Sequence, residues 1–151
     1  MKSLLKWTLP GLVVLILDRL VKTYCGEMET TLIPGVIALR PAKNTGMAMG
    51  LLQDNTLLIL LASIFLVGIC AWLLRSMRPQ GLAPAAISLI AGGALGNMID
   101  RVAQGYVVDM YELLFMDFYI FNVADAGVVA GAVLCGLSLL FRPQDWSKRK
   151  K

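Results

Sequence analysis

From Leu57 to Leu74 the chain is one apolar run in which Ser63 is the sole polar residue. A stretch of that length and purity suits the interior of a bilayer, because about 20 apolar residues cross the hydrocarbon and a helix satisfies its own backbone there. Phe121 to Phe141 is a second such run, interrupted by Asn122, Asp125 and Ser138. Two softer candidates flank them. Leu4 to Tyr24 holds Pro10 early and Asp18, Arg19 and Lys22 late, while Leu82 to Ile99 is diluted by Gly92, Gly93, Gly96 and Asn97. Only 16% of the residues are charged, against about 25% in a soluble domain, so the whole chain reads as an integral membrane protein. The expected fold class is all-α: four transmembrane helices at residues 4–24, 56–75, 82–101 and 121–141 of a single domain, 1–151.

Four spans put both ends of the chain on one side, and the basic residues say which. Lys2, Lys6, Arg75, Arg78, Arg142, Lys148, Arg149, Lys150 and Lys151 share a side with one acid, Asp145. The other side holds Arg19, Lys22, Arg40, Lys43 and Arg101 against nine acids. The Lys/Arg excess marks the cytoplasmic face, so both termini are expected inside. Topology accounts for the basic tail better than nucleic-acid binding does, and no nucleic acid is expected as a partner. Cys25, Cys70 and Cys135 have no metal-type spacing and read as small apolar filler. A lipoprotein-type signal ending at Cys25 is the rival reading of the first segment. Lys22, Thr23 and Tyr24 before that cysteine are not the small residues such a cut requires, so the segment is read as a retained span.

Outside, residues 26–52 contain two short extended runs, Thr31–Ile33 and Val36–Leu39, around Pro34-Gly35. That pattern predicts a hairpin-like β platform whose apolar residues rest on the lipid surface. Val102 to Ile120 is read as a link between the last two spans. Gly92 with Gly96, and Gly127 with Gly131, form small-xxx-small pairs that predict close contact between spans three and four.

The chain has no histidine and no serine or cysteine placed beside a base. Its candidate chemistry is therefore two aspartates, Asp109 and Asp125, at the outer ends of apolar segments, where an unpartnered carboxylate is costly. Two carboxylates in hydrogen-bond reach share one proton near neutral pH, which puts an acid and a base side by side. That is the aspartic-protease arrangement for driving water onto an amide without metal or covalent nucleophile. The plain reading of Asn122 is a helix N-cap, with Asp125 as first-turn acid. Asn97, Asp100 and Arg101 fall on one face at i, i+3 and i+4, and an ion pair ending a span explains them as well as catalysis does. Asp18 and Lys22 make an i, i+4 pair. Asn44 to Gly50 is a turn rich in small residues. Two other classes remain open: a proton or ion relay, which should place its acids near the midplane, and a non-catalytic assembly factor.

Taken together, these stretches resemble bacterial lipoprotein signal peptidase, the type II signal peptidase family. The resemblance rests on Asp18 with Lys22; Asn44, Gly46 and Ala48; the run Gly92 to Arg101; Val107-Val108-Asp109; and Phe121-Asn122-Val123-Ala124-Asp125. It implies four transmembrane helices with a small extracytoplasmic sheet, and an aspartic endopeptidase that cuts diacylglyceryl-modified prolipoproteins before the lipidated cysteine. It further implies Asp109 and Asp125 as the catalytic pair. Asp18, Lys22, Asn44, Gly46, Asn97, Asp100, Arg101 and Asn122 are implied as substrate-binding or supporting residues. No metal and no cofactor are expected. The expected partners are lipid-modified prolipoproteins and membrane phospholipid, with the chain acting as a monomer in the bacterial inner membrane. Two departures stand out: Ala126, where the family often has serine, and a short Met110–Ala124 link.

Overall fold

The computed structural model describes residues 2–46, 52, 53, 55–77 and 80–146. The expected Met47–Gly50 turn with Ala48, and the basic residues Arg78 and Lys148–Lys151, lie outside them. Four helices and one sheet make up the rest: α1 (Lys2–Cys25), β1 (Thr30–Ile33), β2 (Ile37–Asn44), α2 (Thr56–Trp72), α3 (Ala83–Gln104), β3 (Val107–Leu113) and α4 (Val123–Phe141). A π-turn at Leu73–Met77 extends α2, and a short 3₁₀ turn, Pro143–Trp146, follows α4.

α3 is the hub. It packs on α1, α2 and α4, while α2 and α4 barely touch, which leaves a groove between those two. Glycines let the axes approach, but the faces differ from those expected. Gly92 abuts Gly11 and Gly96 abuts Asp18, so this pair faces α1 more than α4. The α3–α4 seam instead uses Gly93, against Ala124 and Val128, and Gly131, against Ala86 and Ile90. Gly127 meets Val14 of α1. With a 3.6-residue period, one position along α3 turns the contact from one neighbour to the next, and Gly93 rather than Gly92 points at α4.

Pro10 interrupts the backbone ladder of α1, and α3 repairs it. Gly11 N donates to the buried Ser88 Oγ at 2.9 Å, and that hydroxyl donates to Thr8 O at 3.2 Å. At the end away from the sheet, the post-α4 turn supplies the cap that α3 lacks. Leu82 N donates to Asp145 Oδ2 at 3.2 Å and Gln80 N to Asp145 O at 2.7 Å. Gly81, at φ +59°, lies where a Cβ would collide with that carboxylate.

Two helical stretches, Thr56–Ser76 and Val123–Phe141, are long and apolar enough to cross a membrane. α1, with Asp18, Arg19 and Lys22, and α3, with Asn97, Asp100 and Arg101, do not meet that measure among the described residues.

The hairpin forms as expected, with Val36 N donating to Ile33 O at 3.0 Å and Gly35 at φ +72° after Pro34. β2 runs further than predicted, to Asn44, and pairs with an unexpected third strand. The stretch read as a plain link contains β3, antiparallel to β2 in the order β1-β2-β3. Asp109 and Glu112 lower its strand propensity. Gly105, at φ +82°, ends α3 and turns the chain straight into β3.

Candidate active site

Register places the first aspartate. Asn44 pairs with Val107 and Ala42 with Asp109, so Asn44 and Asp109 sit diagonally on one face of the sheet. Asn44 Nδ2 donates to Asp109 Oδ2 at 2.8 Å. Helix capping places the second. Asn122 is the N-cap of α4: Asp125 N donates to its Oδ1 at 2.9 Å, and Asn122 N donates to Asp125 Oδ2 at 3.1 Å, a reciprocal capping box. The same residue reaches the strand, because Asn122 Nδ2 donates to Asp109 Oδ1 at 2.6 Å. One fully buried asparagine thus holds both carboxylates.

Asn97 on α3 completes this layer. Its Nδ2 donates to Asp125 Oδ1 at 2.7 Å. Its Oδ1 accepts from Lys22 Nζ at 3.1 Å and from Asn122 Nδ2 at 3.0 Å, so the cation and the second amide fix which way the Asn97 amide faces. Among the described residues neither Asp109 nor Asp125 forms an ion pair. Burial, and then the charge of Asp125, push the Asp109 carboxyl up to about 6 against the opposing hydrogen bonds from Asn44 and Asn122.

Behind this layer lies a balanced ionic quartet. Lys22 Nζ sits 2.9 Å from Asp18 Oδ2 and 2.7 Å from Asp100 Oδ2, and Arg19 Nη2 sits 2.9 Å from Asp18 Oδ2 and 2.6 Å from Asp100 Oδ1. Asp18 Oδ1 also accepts from Ala124 N at 3.0 Å, so α1 caps the first turn of α4. Asp100 Oδ2 accepts from Val108 N at 3.3 Å, which ties α3 to β3. The quartet therefore fixes the two elements that carry the aspartates.

Arg101 reaches the remaining segment. Its Nη2 donates to Gly46 O at 2.7 Å, and Gly46 N donates back to Asn44 Oδ1 at 2.9 Å. Among the described residues Arg101 Nε is buried without an acceptor. Asp109, Asp125, Asn44, Asn97 and Arg101 all border one cleft of about 240 Å³. Ile59, Ser63 and Leu66 from α2 and Val128 and Val129 from α4 line the same cleft, so that part of its wall is mostly apolar. A larger depression of about 430 Å³ along residues 112–118 borders neither carboxylate of the pair. Among the described residues no cluster of three or more acidic or cysteine side chains is placed to hold a metal ion.

The ten residues singled out from sequence therefore converge on two connected layers at the sheet end of the bundle. Sequence reading missed Arg19 as a member of the quartet, although its position beside Asp18 was a usable signal. It also missed Tyr119 and Ile120, which line the cleft and carry no motif.

A family model described as Signal peptidase (SPase) II matches residues 11–141. Similar proteins include the lipoprotein signal peptidases of Streptococcus pneumoniae, 38% identical over 82% of this chain and 85% of that protein, and of Solibacter usitatus, 37% identical over 93% and 94%. Among solved structures, a bacterial membrane enzyme determined by the in meso method at 2.3 Å superposes with a TM-score of 0.84 at 27% identity, covering 97% of this chain and 93% of that one. A second, at 1.9 Å, gives 0.81 at 29% identity, covering 91% and 94%.

Proposed function

The chain belongs to the signal peptidase II family of aspartic peptidases, and from that premise we propose that it removes signal peptides from diacylglyceryl-modified prolipoproteins by cutting before the lipidated cysteine. The observation that carries this reading is the pair Asp109 and Asp125, held by one Asn122 on the border of one cleft.

In the proposed reaction the pair begins with one proton. The ionised carboxylate takes a proton from a bound water, whose oxygen bonds to the scissile carbonyl carbon, while the protonated partner gives its proton to the carbonyl oxygen. Collapse of the resulting gem-diol breaks the C–N bond. As the C=O reforms, one gem-diol hydroxyl gives its proton to the ionised carboxylate and the leaving nitrogen takes the proton of the protonated partner, so the pair is left singly protonated again. Asn44, Asn97 and Asn122 hold the two carboxyls, and Arg101, on the border of the same cleft, holds the Gly46 carbonyl beside them. An asparagine donor suits this task because it orients a carboxyl without removing its proton affinity, as a lysine would.

We read all four helices as membrane-spanning, with the sheet end outside and both termini in the cytoplasm. The polar ends of α1 and α3 are compatible with this, since their charges are buried against each other. The apolar groove between α2 and α4 lets the substrate's own transmembrane segment approach sideways from lipid, which turns a diffusional search into positioning at fixed depth. The chain acts as a monomer with phospholipid as its surroundings, without cofactor or metal.

The test is conversion of a lipidated precursor to its mature form by the purified protein, followed by gel shift. Conversion by the parent protein, absent in Asp109→Asn and Asp125→Asn variants that still fold, supports the assignment. Full activity in either variant ends the dyad, and no conversion by the parent ends the substrate assignment.

A further inference from the structure

α2 is attached to the bundle differently from the other three helices. α1, α3 and α4 are tied to one another by buried or half-buried polar bonds: Ser88 of α3 at the Pro10 break of α1, Asp18 of α1 on the first turn of α4, and Asn97 of α3 on Asp125 of α4. α2 packs chiefly on α3. Among the described residues its one side-chain hydrogen bond to another element is at the outer end, where Thr56 Oγ1 donates to Gly105 O at 3.2 Å. Ser63 Oγ bonds within α2, to Ile59 O at 2.9 Å. Both ends of this helix are irregular. On the outer side Leu52 stands at φ +56°, a left-handed conformation strained for its side chain, and Asn55 N closes that turn on Leu52 O at 3.1 Å. On the inner side the backbone passes into the π-turn Leu73–Met77, a departure from α-helix found frequently at functional sites. α2 is therefore an apolar rod with a joint at each end. In lipid such a rod gains little by keeping one apolar neighbour rather than another, so little opposes its displacement.

The same rod is a wall of the cleft, through Ile59, Ser63 and Leu66. At about 240 Å³ the cleft lies below the ~300–1,000 Å³ usual for pockets that enclose a small molecule. A stretch of peptide carried in by its own transmembrane segment needs more room, so a wall has to yield. α4 cannot yield without parting the carboxylates, because it carries Asp125. α2 can, because Asp109, Asp125 and the asparagines that hold them all lie on other elements. Resting on the function proposed above, we propose that α2 is a hinged lateral gate, latched at its outer end by Thr56 on Gly105, which swings away from α4 to admit the substrate's transmembrane segment.

The experiment measures distances between nitroxide labels in Asp109→Asn protein, empty and loaded with lipidated precursor, with Cys25, Cys70 and Cys135 replaced by alanine. Labels at the exposed Leu57 of α2 and Ala126 of α4 report the outer end of the gate. Tyr24 with Ala126 reports the fixed part of the bundle, and Trp72 with Leu140 the inner end. Precursor should lengthen the Leu57–Ala126 distance by about 5 Å, roughly half a helix diameter, and leave the other two unchanged. No lengthening overturns the gate, equal lengthening of the Tyr24–Ala126 pair shows a general loosening and also overturns it, and equal movement of the inner pair overturns the hinge. A second arm keeps the native cysteines and the catalytic pair. It compares kcat/KM for the whole precursor with that for a short lipidated peptide lacking the apolar segment. Thr56→Val, which removes the latch, should raise that ratio about two- to fivefold, because the open form becomes more populated by the worth of one hydrogen bond. Thr56→Ser should keep the parent ratio. An unchanged ratio in Thr56→Val overturns the latch. Failure of the parent to cleave either substrate strikes the underlying function instead.

Discussion

Two groups of carboxylates lie at the sheet end of this bundle, one amide apart, and they are held in opposite ways. Asp18 and Asp100 are matched by Arg19 and Lys22 at 2.6–2.9 Å. Asp109 and Asp125 face only neutral donors: the side-chain amides of Asn44, Asn97 and Asn122 and one backbone N–H. Asp18, Asp100 and Asp109 are all buried, and Asp125 is partly so, so exposure alone does not separate the two groups. A buried carboxylate with a cation is a fixed charge, tied to structure. One with only amides keeps a proton within reach, and that is the property a hydrolase needs.

The largest effect should come from breaking the second group. Asp109→Asn and Asp125→Asn preserve shape while removing one half of the acid–base pair, and kcat for precursor cleavage should fall by about 10³–10⁴-fold with the folded protein retained. The corresponding change in the first group should damage folding instead. Lys22→Met leaves Asp18 and Asp100 dependent on Arg19 alone, and a buried ion pair broken from one side costs about 3–5 kcal/mol. Thermal unfolding should detect that loss, and the activity of the surviving folded fraction should exceed that of either aspartate variant. Were Lys22→Met to remain stable and lose only kcat, the two groups would not be separable as drawn.

Much of this contrast was legible in the sequence, and the illegible part has a physical reason. Helix positions followed from apolar runs, because lipid permits few alternatives, and α2 and α4 match the predicted spans to within a few residues. The site residues declared themselves as polar groups in apolar surroundings, where each must have a partner. Which partner each takes was hidden. Asp100 and Arg101 are adjacent in sequence, yet Asp100 turns to Lys22 and Arg19 while Arg101 turns to Gly46. β3 was missed because the aspartate that makes it interesting also weakens its strand signal, and its partner β2 lies far away in sequence. Tyr119 was invisible because its place in the cleft is set by backbone pairing of its neighbour, Phe121, with Tyr111.

Acidity gives a sharper version of the comparison. The Asp109 carboxyl titrates near 6 in the folded protein because burial and Asp125 disfavour its charge. In the unfolded chain it titrates near ~4. Ionisation therefore opposes folding. This group's favourable contribution is complete below about pH 4 and is lost as pH rises through about 6, a change of up to about 3 kcal/mol. Asp109→Asn lacks that dependence, so its stability relative to the parent should increase from pH 4 to pH 7 in denaturation measurements. A difference that stays flat with pH would mean that Asp109 is ionised at little cost and that the amides suffice to hold its charge. The rate should follow the same proton: kcat/KM of the parent should decline above about pH 6 as the pair loses the proton it shares.

The smallest effect tests the connection between the groups. Asn97 is the side chain that touches both, accepting from Lys22 and donating to Asp125. In Asn97→Ala the quartet keeps its four ionic contacts, since none passes through Asn97. Asp125 keeps its bond from Asn122 N, and its freed oxygen borders the cleft, where water can replace the lost donor. The cost should therefore be positional: about tenfold in kcat, equivalent to about 1.4 kcal/mol, with KM and the unfolding temperature little changed. Asn97→Asp would add a third carboxylate between Lys22 and Asp125, and its rate should fall further than that of the alanine variant because repulsion now acts on the pair directly. If alanine proved the worse of the two, Asn97 would be acting through packing, and the quartet and the pair would be neighbours without a working link.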